Sequence, residues 1–575
     1  MEPGQHDGGD RDPKRRRRRR LSDRPCAGDH ADHLCSLPDD LLIAILSRVG
    51  DSRAAVSTSA LSRRWRRLDP ARWIPAFAFS VGDHLPPEYA GTLHRYRTAL
   101  SNSGGDDDAR WEELARRVAA CEDRAMEAYV RGLSRFLRSP DRSPAARSLR
   151  LEFFLSASSS AAAARKSMAA CLDSALRWPN LERLALYAFP RGAATAAAGT
   201  SRQPAHVFPD PEPVQALVAA SRSRLATLHV KNCLAQSGRG YGLLFPALTR
   251  LTIEVTPGTV KAAFPSAYFG DVLLSCRGLV FLRLVSCYLA GSTARRFQFQ
   301  VDLPPAPRLR ELVLEACNFR EVRLGGAPSL ESLVVERCGL LSSVTVGNAP
   351  RLATLACHGA PPRMYGGGAG SIRFVELRAA DCYSCVSPEQ RLESFFESVP
   401  KVQVLKLCCF QDPQWFLARP TSFPCTFDNL KKLVIDLPTV WPLHQIKKLL
   451  VLLEVTTCLE KLHIHFLALP LGTSEERDTK TPYSASDDFQ HTCLRQVVME
   501  GFEWTTEQTA LIRLLLSSCG ALKTLILIRR GAFLGVKLGR QGGTVCPSWL
   551  IEEENAEIIS QLRDGIYTDA QIVLR

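Results

Sequence analysis

One spacing of apolar residues dominates the chain from about residue 146 onward: an apolar residue, two others, an apolar residue, one other, and a third apolar residue. It occurs thirteen times between Leu181 and Leu527, as in Leu309, Leu312 and Leu314, in Leu330, Leu333 and Val335, and in Leu352, Leu355 and Cys357. A partial unit at Leu149 and Leu151 precedes them. The middle residues step by 21, 22 and 20 from Leu312 through Leu333 and Leu355 to Val375, and by 23 to 44 elsewhere. Alternation within a unit predicts a short strand whose triplet faces inward while the residues between face out. In series, such units align as one parallel sheet, and the longer steps leave room for insertions on the opposite side. Val214 to Ala220, Leu392 to Val399 and Leu443 to Thr456 read as helices for that side. A single unit cannot bury its own apolar face, so both ends of the series need caps.

A different pattern comes first. Leu41, Leu42, Ile45, Leu46 and Val49 fall on one helical stripe, and Ser36, Pro38, Asp39 and Asp40 carry helix-start chemistry, so a helix is expected to begin near Pro38. A polar break at Gly50 to Arg53 leads to a short patch at Ala54, Ala55 and Val56, then to Leu61, Trp65 and Leu68 at helical spacing. Three short helices leave apolar surface uncovered, which suits a helical partner and equally suits a cap on the following domain. Trp73 to Leu100 has no clear period, 101–108 is a polar loop, and Trp111 to Leu137 reads as a helix with Leu114, Val118, Cys121 and Ala125 on one side. Leu471 to Gln490 is a polar loop, and Ile558, Ile559 and Leu562 predict a closing helix before a final strand.

The segment from Asp32 to Leu68 resembles the F-box of plant F-box proteins that carry leucine-rich repeats. The matching residues are Asp32, Leu34, Leu37, Pro38, Asp39, Leu41, Leu42, Ile45, Leu46, Ser47, Ala55, Val56, Thr58, Ser59, Leu61, Ser62, Arg63, Arg64, Trp65 and Leu68, with TSALSRRWRRL the most specific run. It departs from that pattern at Arg48, Val49 and Gly50, where a Phe-Leu-Pro-like turn is usual, and at Asp69 and Pro70, where a tryptophan is common. The short steps match the leucine-rich-repeat period of about 20 to 29 residues. Cys233, Cys287, Cys317 and Cys338, three residues after the third member of their triplets, fall where that repeat has Asn or Cys. Residues 493–528 resemble the FBD-type C-terminal module of the same proteins through Leu494, Val497, Gly501, Phe502, Glu507, Leu511, Leu514, Leu515, Leu522 and Leu525.

The resemblance implies an α/β protein: an N-terminal helical F-box followed by a leucine-rich-repeat solenoid whose curved parallel sheet presents its outward residues on the concave side. It divides the chain into a basic tail expected to be disordered (1–30), F-box (31–75), helical connector (76–145), repeats (146–470), polar loop (471–490), FBD-like terminal repeats (491–530) and a helix/strand extension (531–575). It also implies a non-catalytic substrate-recognition subunit of a Skp1-cullin-F-box ubiquitin ligase. A Skp1-like adaptor, and through it a cullin, would dock on Leu37, Pro38, Leu41, Leu42, Ile45, Leu46, Leu61 and Trp65, while the repeats hold a target protein whose identity the sequence leaves open. The alternative is a repeat scaffold acting outside any ligase.

Composition narrows the setting. The 575 residues are 45% hydrophobic and 23% charged, as in globular proteins. No signal peptide and no run of about 18 uncharged apolar residues is evident, so a membrane partner is not expected. Nineteen cysteines without a regular framework fit a reducing, intracellular compartment better than a disulfide scaffold. Half of the formal net charge of +14 sits in the consecutive cations Lys14, Arg15, Arg16, Arg17, Arg18, Arg19 and Arg20. That run reads as a nuclear import signal, placing the chain in the nucleus, the cytoplasm or both. Nucleic acid is the other ligand of such a run, but the repeats show no interleaved basic and aromatic pattern, so it is not expected as a partner.

Candidates for chemistry are few. Cys382 and Cys385 form a single CxxC without the second pair that a zinc site needs. His463 and His465 alternate with Leu462 and Ile464 and should face outward together; for want of a third ligand they read as exposed polar positions. Gly366 to Gly368 and Gly370 lack the Lys-Ser/Thr of a phosphate loop and read as a flexible insertion. No nucleophile elbow, HExxH or kinase signature occurs, so no catalytic residue, metal or cofactor is expected.

Overall fold

The structure, a computed structural model, describes residues 37–48, 52–69, 72–101, 108–137, 145–155, 168–192 (without 169, 173, 177 and 179), 203–208 (without 205), 224–290 (without 236, 258, 259 and 262), 299–378, 394–408, 427–438, 449–467 (without 451), 490–529 and 552–575. It is a mixed α/β protein built on one parallel sheet of 16 strands, running from Ala76–Ser80 to Gln571–Leu574 with its members in chain order. All thirteen triplets enter this sheet or the turn before it, and their members are buried. The strand Ser332–Glu336 is typical: Leu333 and Val335 are 1% and 2% exposed, whereas Ser332, Val334 and Glu336 face out.

The turn after several strands repeats as well. Asn232, Ser286, Ala316 and Arg337 adopt left-handed backbone (φ 50 to 55°), and each donates its amide N–H to the last carbonyl of the next strand at 2.7 to 2.8 Å. Cys287, Cys317 and Cys338, the residues that follow three of these, turn their thiols back to the carbonyls of Ile253, Leu284 and Leu314 at 3.5 to 3.7 Å. Each turn is thereby tied to the strand on either side, and a small buried side chain with a weak donor suffices there. None of the cysteines among the described residues is in a disulfide, and most of them are buried.

Two sequence expectations change. On its far side the short-step region has no α-helix, only the 3-10 turn Ala369–Ser371. It has a second parallel sheet, Gln300–Leu303, Glu321–Gly326, Ser343–Asn348 and Arg363–Tyr365, that seals the core with Val301, Leu303, Val322, Leu324, Val344, Val346 and Met364. A step of about 21 residues is filled by two strands and two turns, and among the described repeats α-helices appear only where the steps are longer, as at Tyr268–Ser275 and Thr506–Ser518. Helix is also found at 394–398 and within 449–454, whereas 214–220 and 443–448 lie outside the described residues. The glycine run is likewise a packed turn and not a flexible insertion: Gly366 has φ 88°, and a Cβ there would meet the carbonyl oxygen of Val346 at 2.1 Å.

The sheet also begins earlier than the triplets do. Ala76–Ser80 is its first strand, in register with Ser148–Phe154, although Trp73 to Leu100 shows no period. Five residues at a sheet edge are too few to declare an alternation. The helix Asp108–Leu137 packs beside this edge, bringing Val118, Ala125, Tyr129 and Leu133 inside. It also buries Glu122, which accepts from Tyr89 Oη (2.6 Å) and the Gly192 amide (2.7 Å). At the other end the helix Glu552–Arg563 and the strand Gln571–Leu574 close the sheet as expected.

Ahead of the sheet stand the helices Asp39–Arg48, Ser52–Ser57 and Arg63–Arg67, with a 3-10 turn Thr58–Ala60. The first starts on Pro38, whose carbonyl accepts from the Leu41 and Leu42 amides, and Ser62 Oγ caps the last by accepting from the Trp65 amide. Leu42, Leu46, Ala55 and Trp65 join Ile74 and Phe77 in the core that continues into the sheet. Among the described residues no helix is long and apolar enough to cross a membrane.

Candidate functional site

Two surfaces carry the side chains that the sequence singled out. The first is the outer side of the N-terminal helices. Of the eight expected adaptor contacts, Leu42, Leu46 and Trp65 point inward at 0%, 0% and 4% exposure. Leu37 is half-buried, and Pro38, Leu41, Ile45 and Leu61 are exposed. Leu41, Ile45 and Leu61 show 50%, 39% and 66% of their surface. The exposed pair Leu41 and Ile45 lies at i and i+4, one turn apart on the same helix face. Arg64 ties the first and last helices together, donating from Nε to Asp39 Oδ1 at 2.7 Å and from its guanidinium to the Leu37 carbonyl. The exposed apolar surface is thus narrower than the sequence motif, because half of an amphipathic stripe is consumed by the helix's own core.

The second surface is the outward side of the large sheet, where parallel pairing stacks the alternating residues into rows. One row passes through Glu152, Tyr187, Lys231, Glu254 and Val285, and continues through Glu315, Glu336, His358, Arg378, Cys408, Asp436, His465 and Glu500. Next to it run Arg150, His229, Arg283, Glu376, Lys406 and His463 at matching positions. Ionic groups fall opposite one another along these rows. Glu315, 7% exposed, receives both the Arg283 guanidinium (2.5 Å) and that of Arg337. Glu254 meets Lys231 Nζ at 2.6 Å and His229 Nε2 at 3.3 Å. The bond to His229 leads in bringing its carboxyl down to about 2, burial opposes, and Lys231 adds to the lowering.

Towards the C-terminal end the row becomes a chain of contacts. Lys406 Nζ lies 3.4 Å from Glu376 Oε1 and 3.9 Å from Asp436 Oδ2, and Cys408 Sγ lies 3.0 Å from Asp436 Oδ2. Asp436 Oδ1 takes His465 Nδ1 at 2.6 Å, His465 Nε2 is 3.0 Å from His463 Nε2, and His463 Nε2 is 2.7 Å from Glu500 Oε1. Burial works to raise the Asp436 carboxyl, but the bonds from His465 and Cys408 outweigh it and hold the group below its ordinary value. Burial, reinforced by the neighbouring His465, lowers the basicity of His463.

The sequence placed the two histidines correctly as outward neighbours on one strand. It did not bring Asp436 and Glu500 to them, because those residues lie 29 and 35 positions away from His465 and reach it only through strand pairing. Alternation within their own strands, with Glu500 following Val497 and Met499, was the available signal that both face out. Lys14 to Arg20 and the Cys382/Cys385 pair lie outside the described residues. No protein-family model matches the chain, and no curated protein matches it either.

Proposed function

We propose that the chain is a substrate-recognition subunit of a Skp1-cullin-F-box ubiquitin ligase, docking a Skp1-like adaptor through its N-terminal helices and a target protein on the outward rows of a leucine-rich-repeat solenoid. The observation that carries this reading is the exposed apolar trio Leu41, Ile45 and Leu61 on a helical unit whose opposite side, Leu42, Leu46 and Trp65, is already buried. An apolar helix face of this kind suits a helical partner. Together with the F-box-like residues around it, it marks the face an adaptor would take. The chain itself would do no chemistry; it would hold a target within reach of a ubiquitin-loaded enzyme, which is rate enhancement by proximity.

The test is co-purification of a Skp1-like adaptor and cullin with the full chain and with Leu41→Glu/Ile45→Glu. Expected is loss of both partners from the variant with an unchanged thermal transition, since neither side chain is in the core. Undiminished adaptor binding by the folded variant refutes this docking face. Leu42 is unsuited to the test, because a charge there would disrupt the core. A second reading, a repeat scaffold with the helices as an end cap, draws on the continuity of Leu42, Leu46 and Trp65 with Ile74 and Phe77. It predicts that neither protein co-purifies with adaptor.

A further inference from the structure

The third ligand that the histidine pair lacks in the sequence stands on the neighbouring strand. His463 and His465 occupy alternate positions of the strand Lys461–Leu467, so both imidazoles rise from the same side of the sheet, their ring centres 4.2 Å apart and nearly perpendicular. Glu500 pairs with His465 across the ladder. Directly after it the strand bulges at Gly501, whose backbone is left-handed (φ 76°) and where a Cβ would meet the Phe466 carbonyl oxygen at 2.3 Å. A bulge of this kind re-aims the preceding side chain, and here Glu500 reaches over towards the rings.

His463 Nε2, His465 Nε2 and the Glu500 carboxylate can each offer an atom within 4.8 Å of the others. Their separations are 3.0 Å between the nitrogens, 2.7 Å from His463 Nε2 to Oε1 and 3.8 Å from His465 Nε2 to Oε2. Tetrahedral zinc with bonds of about 2.0 to 2.1 Å sets its ligand atoms roughly 3.3 to 3.4 Å apart. The observed distances straddle that value, so a cation would enter with sub-ångström adjustment. The supporting shell is also present. Asp436 Oδ1 binds His465 Nδ1 at 2.6 Å and so leaves Nε2 as the ligand nitrogen, and Asp436 is itself held by Cys408 at 3.0 Å. Carboxylate–histidine–metal relays orient ligands in this way.

We propose that His463, His465 and Glu500 form a binding site for a divalent transition metal, zinc by ligand chemistry, with Asp436 as the positioning residue behind His465. The three ligand side chains remain 15 to 23% exposed, so a fourth coordination position opens on the outward surface and takes water or an exchangeable small ligand. The proposal is independent of the ligase reading.

The experiment uses the full chain, reduced and stripped with chelator, titrated with Zn2+ against a chromophoric competitor and with Co2+ by absorption spectroscopy. Expected is a single equivalent bound outside the cysteines, giving a Co2+ spectrum without thiolate charge-transfer bands. Glu500→Gln and His465→Gln should weaken that equivalent at least about 100-fold, and Asp436→Asn by about 10- to 100-fold. Zn2+ should raise the melting temperature of the parent chain and leave that of Glu500→Gln unmoved. Glu500→Gln keeps size and hydrogen-bonding capacity, so it serves if a histidine variant fails to fold. Equal binding by parent and Glu500→Gln, or only thiolate-type Co2+ spectra, would overturn the site.

Discussion

The same arrangement occurs twice on the outward side of the sheet, once near each end, with a different outcome. Near the N-terminal end His229 and Lys231 alternate on one strand and Glu254 pairs with Lys231 from the next; near the C-terminal end His463 and His465 alternate and Glu500 pairs with His465. In the first, the carboxylate has an ammonium at 2.6 Å, and the other nitrogen of His229 meets Tyr187 Oη at 2.9 Å. In the second, the imidazole of His465 replaces the ammonium, and Asp436, at the row position of Tyr187, bonds His465 itself and not the counterpart of His229. The first is an ion pair complete in itself, whereas the second gathers two imidazoles and a carboxylate around a point that a metal cation can occupy. Two exchanges, lysine for histidine and tyrosine for aspartate, separate this ion pair from the proposed metal site.

The strongest way to break the comparison is to make the second copy like the first. His465→Lys should abolish the bound Zn2+ equivalent, a loss of at least about 100-fold in affinity, read by competitor titration. Next in size is Asn232→Ala, at the turn that ends the Lys231 strand. Asn232 is fully buried, donating to the Ala188 carbonyl (2.7 Å) and accepting from the Thr256 amide (2.7 Å). Leaving those groups unmatched should lower stability by about 2 kcal/mol in chemical denaturation.

Acid should test the first copy directly. The Glu254 carboxyl is lowered from 4.5 to about 2, so its contribution is present above the ordinary value and is lost as pH falls from about 4.5 towards 2. Because the group is a quarter exposed, the loss is about 1 to 2 kcal/mol after allowance for screening. Stability–pH profiles of the parent and Glu254→Gln should therefore converge by that amount across the window, and parallel profiles would count against the ion pair. The smallest effect is expected of Tyr187→Phe, which removes the hydroxyl on His229 and should cost about 0.5 to 1 kcal/mol by the same measurement.

How far the sequence reached differs between the two surfaces. The stripe Leu41, Leu42, Ile45 and Leu46 was legible as a helix, but periodicity does not say how much of a stripe the helix's own neighbours bury. Packing turned Leu42 and Leu46 inward and left Leu41 and Ile45 outside. On the sheet, alternation placed His463 and His465 outward together, and the same rule applied to Asp436 and Glu500 marks them as outward too. What no local pattern states is which outward residues become neighbours.

The spacing of apolar residues by itself determined the strands, their inward members and the existence of a repeated parallel sheet, because burying a period-2 face is a local requirement that each unit writes into its own residues. Only the tertiary structure decided the register between strands, the second sheet behind the short units and the early first strand at Ala76–Ser80. These depend on pairing between segments some 20 to 70 positions apart. The meeting of His463, His465, Glu500 and Asp436 belongs to that second class: three strands contribute to it, and the ladder hydrogen bonds and the bulge at Gly501 set the distances.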